Sequence, residues 1–201
     1  SFVNPTKVPS PQIISVNDEL SKELGINYWE NIEFFKKIFS GNKILDNFKP
    51  YAQNYGGHQF GNWAGQLGDG RAITVMELKL PNSDKFELQL KGSGQTPYSR
   101  FADGKAVLRS SLREYLCSEA MHHLNIPTTR ALSLMLSGEN IVRDMFYDGN
   151  PKEEKGAIVC RVSPSFLRFG HFEIHARNND TLLLKQLVQY TLENHFNYLI
   201  K

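Results

Sequence analysis

Residues 51–72 read YAQNYGGHQFGNWAGQLGDGRA, and this stretch decides how the rest of the chain is interpreted. Its six glycines exclude a regular helix and require turns or close backbone approaches. Two β-like runs follow, at residues 72–80 and 86–90, and the turn sequence PNSD divides them. This pattern predicts an antiparallel hairpin. A second loop rich in small residues, GSGQTPYSRFADG, occupies residues 92–104.

The segments outside these loops predict an α+β protein with a mainly antiparallel sheet and flanking helices, because strands and helices do not alternate as in a Rossmann fold. An irregular arm at residues 1–13 and a helix at 17–40 form one expected unit, residues 1–50. The remaining unit is residues 51–201. In it we expect a helix at 105–124 with Asp103 as its cap, strands at 131–136, 140–146 and 157–162, a polar loop at 147–155, and helices at 165–176 and 181–200.

The composition is that of an ordinary globular protein, with 40% hydrophobic and 22% charged residues and a net charge of +2. There is no basic tract for nucleic acid and no apolar run of the roughly 20 residues that would span a bilayer. The two cysteines, Cys117 and Cys160, are too few for a disulfide framework, so we expect a reducing cytoplasm. Any recognition of phosphate must therefore be local.

The end of the first glycine-rich loop predicts an anion site. Backbone N–H groups freed by Gly61, Gly65, Gly68 and Gly70 can converge on an anion, and Arg71 adds a planar two-pronged donor. The spacing matches neither of the common nucleotide-binding glycine motifs. The alternative is a surface loop whose glycines serve only positive φ angles.

Lys91 ends the second strand of the predicted hairpin. Strict alternation places it on one face with Glu87 and Gln89, away from the apolar face. A lysine there reaches a nucleotide's phosphates if an anionic partner fixes its ammonium group. Glu114, on the helix predicted at 105–124, is the candidate partner, and Glu119 is an alternative that spacing alone leaves open. A solvated lysine at a strand end is the other interpretation.

Arg161 and Arg168 bracket the sequence VSPSFL and add two further cations. If they converge with Arg71 and Lys91, four cations surround a polyphosphate; the alternative is separate ion-paired arginines. The histidines lack zinc-ligand spacing, since His171 and His175 have the i, i+4 relation without an evident third ligand.

Three long segments resemble the selenoprotein O family, also known as YdiU. They are YGGHQFGNWAGQLGDGRA, then LQLKGSGQTPYSRFADGKAVLRSSLREYLCSEAMHHL with the IPTTRAL that follows it, and CRVSPSFLRFGHFE. The likeness extends from about residue 53 to residue 175. The resemblance implies a protein-kinase-like fold, with an N-lobe whose sheet is mainly antiparallel. It also implies transfer of AMP from ATP to Ser, Thr or Tyr hydroxyls of proteins.

The resemblance also implies roles for individual residues. ATP contacts are expected from two loops and three strand or helix positions: Gly68, Gly70, Arg71, Lys91, Asp103, Gly104, Arg161 and Arg168. Lys91 and Glu114 are expected to form the structural ion pair. No catalytic residue and no metal ligand of the family is expected in this chain. The catalytic Asp and the ligands of Mg²⁺ or Mn²⁺ are expected downstream of Lys201.

The chain is therefore expected to be a C-terminally incomplete nucleotide-binding region that has little or no transferase activity alone. A non-catalytic nucleotide-binding or interaction module, and a conventional phosphotransferase, are the alternatives. Protein substrates are the expected partners, with neither nucleic acid nor membrane. The sequence leaves open self-association of the chain through an uncovered interior face.

Overall fold

A six-stranded antiparallel sheet organises the chain. A computed structural model describes residues 1–200. Within this range the elements are β1 (Gln12–Val16), α1 (Asp18–Glu23), α2 (Ile32–Phe39), β2 (Gly56–Gln59), β3 (Asn62–Gln66), β4 (Ala72–Lys79), β5 (Lys85–Lys91), β6 (Ala106–Val107), α3 (Leu108–His123), β7 (Arg130–Arg143), β8 (Lys152–Ser163), α4 (Phe169–Arg177) and α5 (Thr181–His195), followed by a 3-10 turn at Asn197–Leu199. The predicted α+β class with a mainly antiparallel sheet is confirmed.

The sheet has the strand order β1-β7-β8-β5-β4, and the short strand β6 also pairs with β8. The predicted hairpin is the pair β4–β5, in which Ala72 lies opposite Lys91. On the other edge of β5, Gln89 lies opposite Arg161 and Lys91 lies opposite Val159 of β8. The ends of β4, β5 and β8 that carry the predicted cations therefore lie side by side.

Helices cover both faces of this sheet, but unequally. Leu20 of α1 and Phe35 and Phe39 of α2 belong to the main apolar core, together with Leu88 and Leu90 of β5. On the opposite face, α3 packs with residues of β7 and β8 in a smaller cluster that contains Tyr115, Ala131, Leu134, Ala157 and Val159. That smaller cluster includes no residue of β4 or β5, so polar groups occupy this part of the face.

The prediction of a single helix at residues 17–40 is wrong, because this range contains two helices, α1 and α2. Helix α1 ends at Glu23, and Gly25 follows with φ of 67°. Helix α2 begins after Asn31, whose side-chain oxygen accepts a hydrogen bond of 2.9 Å from the N–H of Phe34. A positive-φ glycine and a new N-cap interrupt an apolar stripe that looks continuous in the sequence.

Several other boundaries also differ from the prediction. Helix α4 begins at Phe169 and not at residue 165, and α5 ends at His195 and not at residue 200. Helix α3 begins at Leu108 and not near residue 105, because Ala106 and Val107 pair with β8. Strand β7 is continuous where two strands were predicted, and its register shifts between Leu136 and Asn140, around Gly138 with φ of 82°. Strand β8 begins at Lys152, so the polar loop is shorter than residues 147–155.

The first glycine-rich stretch forms a small separate hairpin, β2–β3, and a following loop. This hairpin packs against α4: the carbonyl of Gly56 lies so close to Gly170 that a Cβ there would meet the oxygen at 1.9 Å. Arg177 of α4 stacks its guanidinium 4.3 Å from the ring centroid of Trp63. The glycine-rich hairpin is thus fixed to the helix that follows Arg168.

Candidate functional site

A cleft of about 740 Å³ lies between the two glycine-containing loops and the ends of β4, β5 and β8. The cleft is lined by every residue that was predicted to contact the nucleotide: Gly68, Gly70, Arg71, Lys91, Asp103, Gly104, Arg161 and Arg168. Glu114 lies in an adjoining recess of about 220 Å³ that it shares with Arg71 and Lys91. Positions that are far apart in sequence therefore converge on one site.

Positive charge is concentrated in this cleft. Its basic lining residues are Arg71, Lys91, Arg100, Lys105, Arg143, Arg161 and Arg168, against the carboxylates of Asp69 and Asp103. The whole chain has a net charge of only +2. A cluster of cations in a recessed, polar space is suited to a ligand with several negative charges, such as a polyphosphate.

Lys91 is held by the helix residue Glu114. The Lys91 Nζ atom lies 2.7 Å from Glu114 Oε2, and Arg161 Nη1 lies 3.4 Å from Glu114 Oε1. Burial lowers the pKa of Lys91, and the hydrogen bond to Glu114 opposes that shift. One carboxylate therefore orients two cations at the inner end of the cleft.

The alternative partner, Glu119, has a different role. Its carboxylate accepts hydrogen bonds from Arg130 Nη2 at 2.9 Å, from the N–H of Ala131 at 2.8 Å and from Asn17 Nδ2 at 2.6 Å. Burial raises the pKa of Glu119, but these donors, Arg130 first, hold it below the usual value. Glu119 joins α3 to β7 and to the N-cap of α1, away from the cleft.

Arg161 is the most deeply placed cation, with 11% of its side chain exposed. Its Nη2 donates to Gln89 Oε1, and its guanidinium lies 5.1 Å from the ring centroid of Phe166. Among the described residues its Nε has no hydrogen-bond partner although it is buried. Burial lowers the pKa of Arg161, and the charges of Glu114 and Asp69 oppose the shift. A buried donor without a partner is a group that a ligand can satisfy.

Arg168 immediately precedes α4, and it lines the cleft. Its guanidinium lies 5.0 Å from the ring centroid of Tyr55, which also lines the cleft. The Arg168 backbone N–H donates to His171 Nδ1 at 2.9 Å. Burial lowers the pKa of His171 to about 4, so this ring is neutral near pH 7. A neutral ring that accepts this bond holds the chain at Arg168 in position.

The glycines of the first loop serve close packing of the two loops. A Cβ on Gly68 would lie 2.5 Å from the Tyr98 ring, and one on Gly70 would lie 3.0 Å from the Tyr98 carbonyl. The N–H of Gly70 donates to Gly68 O at 3.0 Å. The expectation that this N–H is free for an anion is therefore wrong, and the cationic side chains carry the site's positive charge.

Asp103 and Gly104 of the second loop also line the cleft. Asp103 does not cap α3; its Oδ1 accepts from Arg143 Nη2 at 2.8 Å and from the N–H of Lys105 at 2.9 Å. Burial raises the pKa of Asp103, but the Arg143 and Lys105 donors leave it below the usual value. Gly104 has φ of 69° and lies against the Gly94 carbonyl, where a Cβ would not fit.

Asp69, Gln89 and Tyr55 are site residues that sequence reasoning missed. Asp69 and Tyr55 line the cleft, and Gln89 is fully buried behind it. Strand alternation places Gln89 on the face of Lys91, which was a usable signal. Nothing in the sequence indicates that Asp69 turns inward, since aspartate before glycine is typical of an exposed turn.

Residues 1–200 contain no group of three or more His, Cys, Asp or Glu side chains that could hold a metal ion. His171 and His175 are not part of such a group. No chemical step is therefore assigned to a metal ion. In the same range, no helix has the length and apolarity needed to cross a membrane.

Fold and cleft together define an α+β protein whose antiparallel sheet carries a recessed, cation-lined cleft with a strand-lysine and helix-glutamate pair. The chain belongs to the family described as protein adenylyltransferase SelO, whose model matches residues 1–201. The resemblance seen in the sequence is confirmed.

Relatives named protein nucleotidyltransferase YdiU agree with this membership. The chain is 60% identical over 195 residues to the protein of Nitrosospira multiformis, a match that covers 96% of this chain and 34% of that relative. It is 58% identical over 200 residues to the protein of Azoarcus sp. strain BH72, with 98% and 38% covered. The chain thus spans little more than a third of the length of these relatives.

Proposed function

We propose that the cleft binds ATP through its phosphates, and that the chain is the nucleotide-binding part of a protein adenylyltransferase. The reaction is transfer of AMP from ATP to a Ser, Thr or Tyr hydroxyl of a protein. The observation that carries the proposal is the convergence of Arg71, Lys91, Arg161 and Arg168 on one cleft, at positions expected from the family resemblance. The names of the relatives support nucleotidyl transfer.

The arrangement of the cations suits this chemistry. When the bond between the α- and β-phosphates breaks, negative charge develops on the departing pyrophosphate, and cations already in place stabilise it. Glu114 fixes Lys91 and Arg161 in advance, so little reorganisation is needed. The protein hydroxyl that attacks the α-phosphorus must lose a proton, and we assign that step to no residue of this chain. The metal expected from the family, Mg²⁺ or Mn²⁺, is likewise given no ligand here.

The full-length protein, incubated with ATP labelled at either the α- or the γ-phosphate and a mixture of candidate protein substrates, tests the proposal. We expect label from the α position in protein, and its loss in the Lys91→Ala variant. Transfer of γ label only contradicts AMP transfer and indicates a conventional phosphotransferase. ATP binding without transfer of either label indicates a non-catalytic nucleotide-binding module.

A further inference from the structure

Gln89 is the one glutamine in the middle of the sheet, and its side chain is fully buried within the described residues. It lies on β5 between the core residues Leu88 and Leu90, opposite Thr74 on one neighbouring strand and Arg161 on the other. Burying an amide in such a place is unfavourable unless both its donor and its acceptor are satisfied. Gln89 does not line the cleft, so any effect it has on a ligand acts through other residues.

Both ends of the Gln89 amide are bonded to charged residues of the cleft. Its Nε2 donates to Asp69 Oδ2 at 3.0 Å, and its Oε1 accepts from Arg161 Nη2. Only a side chain that both donates and accepts can join a carboxylate to a guanidinium in this order. A glutamate at this position would face Asp69 with like charge, and a methionine would leave both charged partners without this bond.

Asp69 is in turn the point at which the two loops are joined. Its N–H donates to Gln53 O at 2.9 Å, and its carboxylate also accepts from the N–H of Gln53 at 3.2 Å. Its carbonyl accepts from Thr96 Oγ1 of the second loop at 2.6 Å. Burial raises the pKa of Asp69, which the Gln53 and Gln89 donors and the arginine charges oppose. Fixing Asp69 therefore fixes the loop that carries Arg71.

We propose that Gln89 is a positioning residue for the phosphates of the nucleotide, because its amide ties the loop anchor Asp69 to the cation Arg161. The resulting chain of contacts runs from Asp69 through Gln89, Arg161 and Glu114 to Lys91. It sets the distance between the first loop and the cations on β5 and β8. The inference rests on the proposed function for the identity of the ligand, a polyphosphate.

The test compares four variants of the full-length protein: Gln89→Met, Gln89→Glu, Asp69→Asn, and the double variant that combines Asp69→Asn with Gln89→Glu. Gln189→Met is the matched control, since Gln189 is on α5 and its amide donates to the exposed Glu193. Calorimetry measures the dissociation constants for ATP and for inorganic tripolyphosphate. Circular dichroism and the melting temperature report folding.

We expect Gln89→Met and Gln89→Glu each to weaken binding of both probes by about tenfold or more, because a hydrogen bond to each charged group is lost or replaced by repulsion. The control Gln189→Met remains within about twofold. The double variant recovers only part of the affinity that Gln89→Glu loses. The amide introduced at position 69 donates to the carboxylate introduced at position 89, which still accepts from Arg161, but the oxygen that it replaces also accepted from the Gln53 N–H. That recovery is what a role in packing alone does not predict.

The inference is overturned if folded Gln89→Met binds both probes like wild type, or if the double variant binds no better than Gln89→Glu. If the single variants do not fold, the double variant provides the test. The inference is also overturned if the double variant regains the melting temperature of the wild type but none of its affinity. Lys91→Ala separates this inference from the proposed function. If the wild type binds neither probe, or if Lys91→Ala binds both as tightly as wild type, the proposed function and this inference are both contradicted. If Lys91→Ala weakens binding but Gln89→Met does not, this inference alone is contradicted.

Discussion

The two faces of strand β5 show how one segment supplies both the stability and the site. Leu88 and Leu90 point into the core under α1 and α2 and are fully buried. Gln89 and Lys91, one residue further along, point to the opposite face, where they bond to Asp69, Arg161 and Glu114. The apolar face depends on volume and area, whereas the polar face depends on particular atoms at hydrogen-bond distance.

The difference between the faces arises from how much of the sheet each group of helices covers. Helices α1 and α2 bury the apolar face across β4, β5, β7 and β8, whereas α3 covers the other face only at β7 and β8. The part of the second face at β4 and β5 is left for polar groups and the cleft. Substitutions on the two faces should therefore affect different measurements.

The largest effect is expected from Leu90→Ala, on the apolar face. Removing a fully buried leucine side chain leaves a cavity, and we expect the free energy of unfolding to fall by about 2 to 5 kcal/mol. Urea unfolding measures it, and Leu116→Ala is the control because Leu116 is 57% exposed on α3. Equal losses for the two variants would show that β5 does not lie in the core.

Lys91→Met, on the polar face, should chiefly affect ligand binding. Loss of a charge-assisted contact to phosphate is worth about 1.5 to 3 kcal/mol, so we expect ATP affinity to fall about 10- to 150-fold. The matched control is Lys85→Met on the same strand, because Lys85 is exposed and bonds to Asn194 outside the cleft. If the two variants bind ATP equally well in calorimetry, the cleft is not the ATP site.

The same comparison explains which parts of the molecule the sequence could predict. Alternation along β5 assigned Leu88, Leu90 and Lys91 to their faces, because strand periodicity is a local property. Arg161 and Arg168 were candidate cations from the sequence, and the family resemblance assigned them to the phosphates. Asp69 was missed because its inward position depends on Gln53, Gln89 and the second loop, which are distant in sequence.

The sequence could not decide between two structures where one local pattern fits both. The apolar stripe of residues 17–40 fits one helix as well as two, and the Gly25 turn and the Asn31 cap decide for two. Glu114 and Glu119 lie on the same helix, and only tertiary contacts separate the partner of Lys91 from the partner of Arg130. Helical spacing carries no information on which strand each glutamate faces.

Those two glutamates provide the next test. We expect Glu114→Gln to weaken ATP binding by about tenfold, because Lys91 and Arg161 lose the carboxylate that orients them, with a small change in stability. We expect Glu119→Gln to leave ATP binding unchanged and to lower the free energy of unfolding by about 1 to 2 kcal/mol, because Arg130, Asn17 and the N–H of Ala131 lose a charged acceptor. Calorimetry and urea unfolding on both variants measure these two effects. If Glu119→Gln weakens ATP binding and Glu114→Gln does not, Glu119 and not Glu114 orients the cations.

The smallest effect is expected from Glu87, another polar residue of β5. Burial raises its pKa from 4.5 to about 7, and the nearby charge of Glu77 adds to the shift. Between these pH values the folded protein keeps a proton that the unfolded chain releases, so raising the pH through this window destabilises the fold. Glu87→Gln should remove this contribution and retain an acceptor for Gln53 Nε2.

Urea unfolding at pH 5 and pH 8 measures the effect. Between these pH values, the free energy of unfolding of the variant should rise by about 1 kcal/mol relative to that of wild type. A difference between the two proteins that does not change with pH would mean that Glu87 is charged throughout, and that the polar face of β5 is better hydrated at this position than at Gln89.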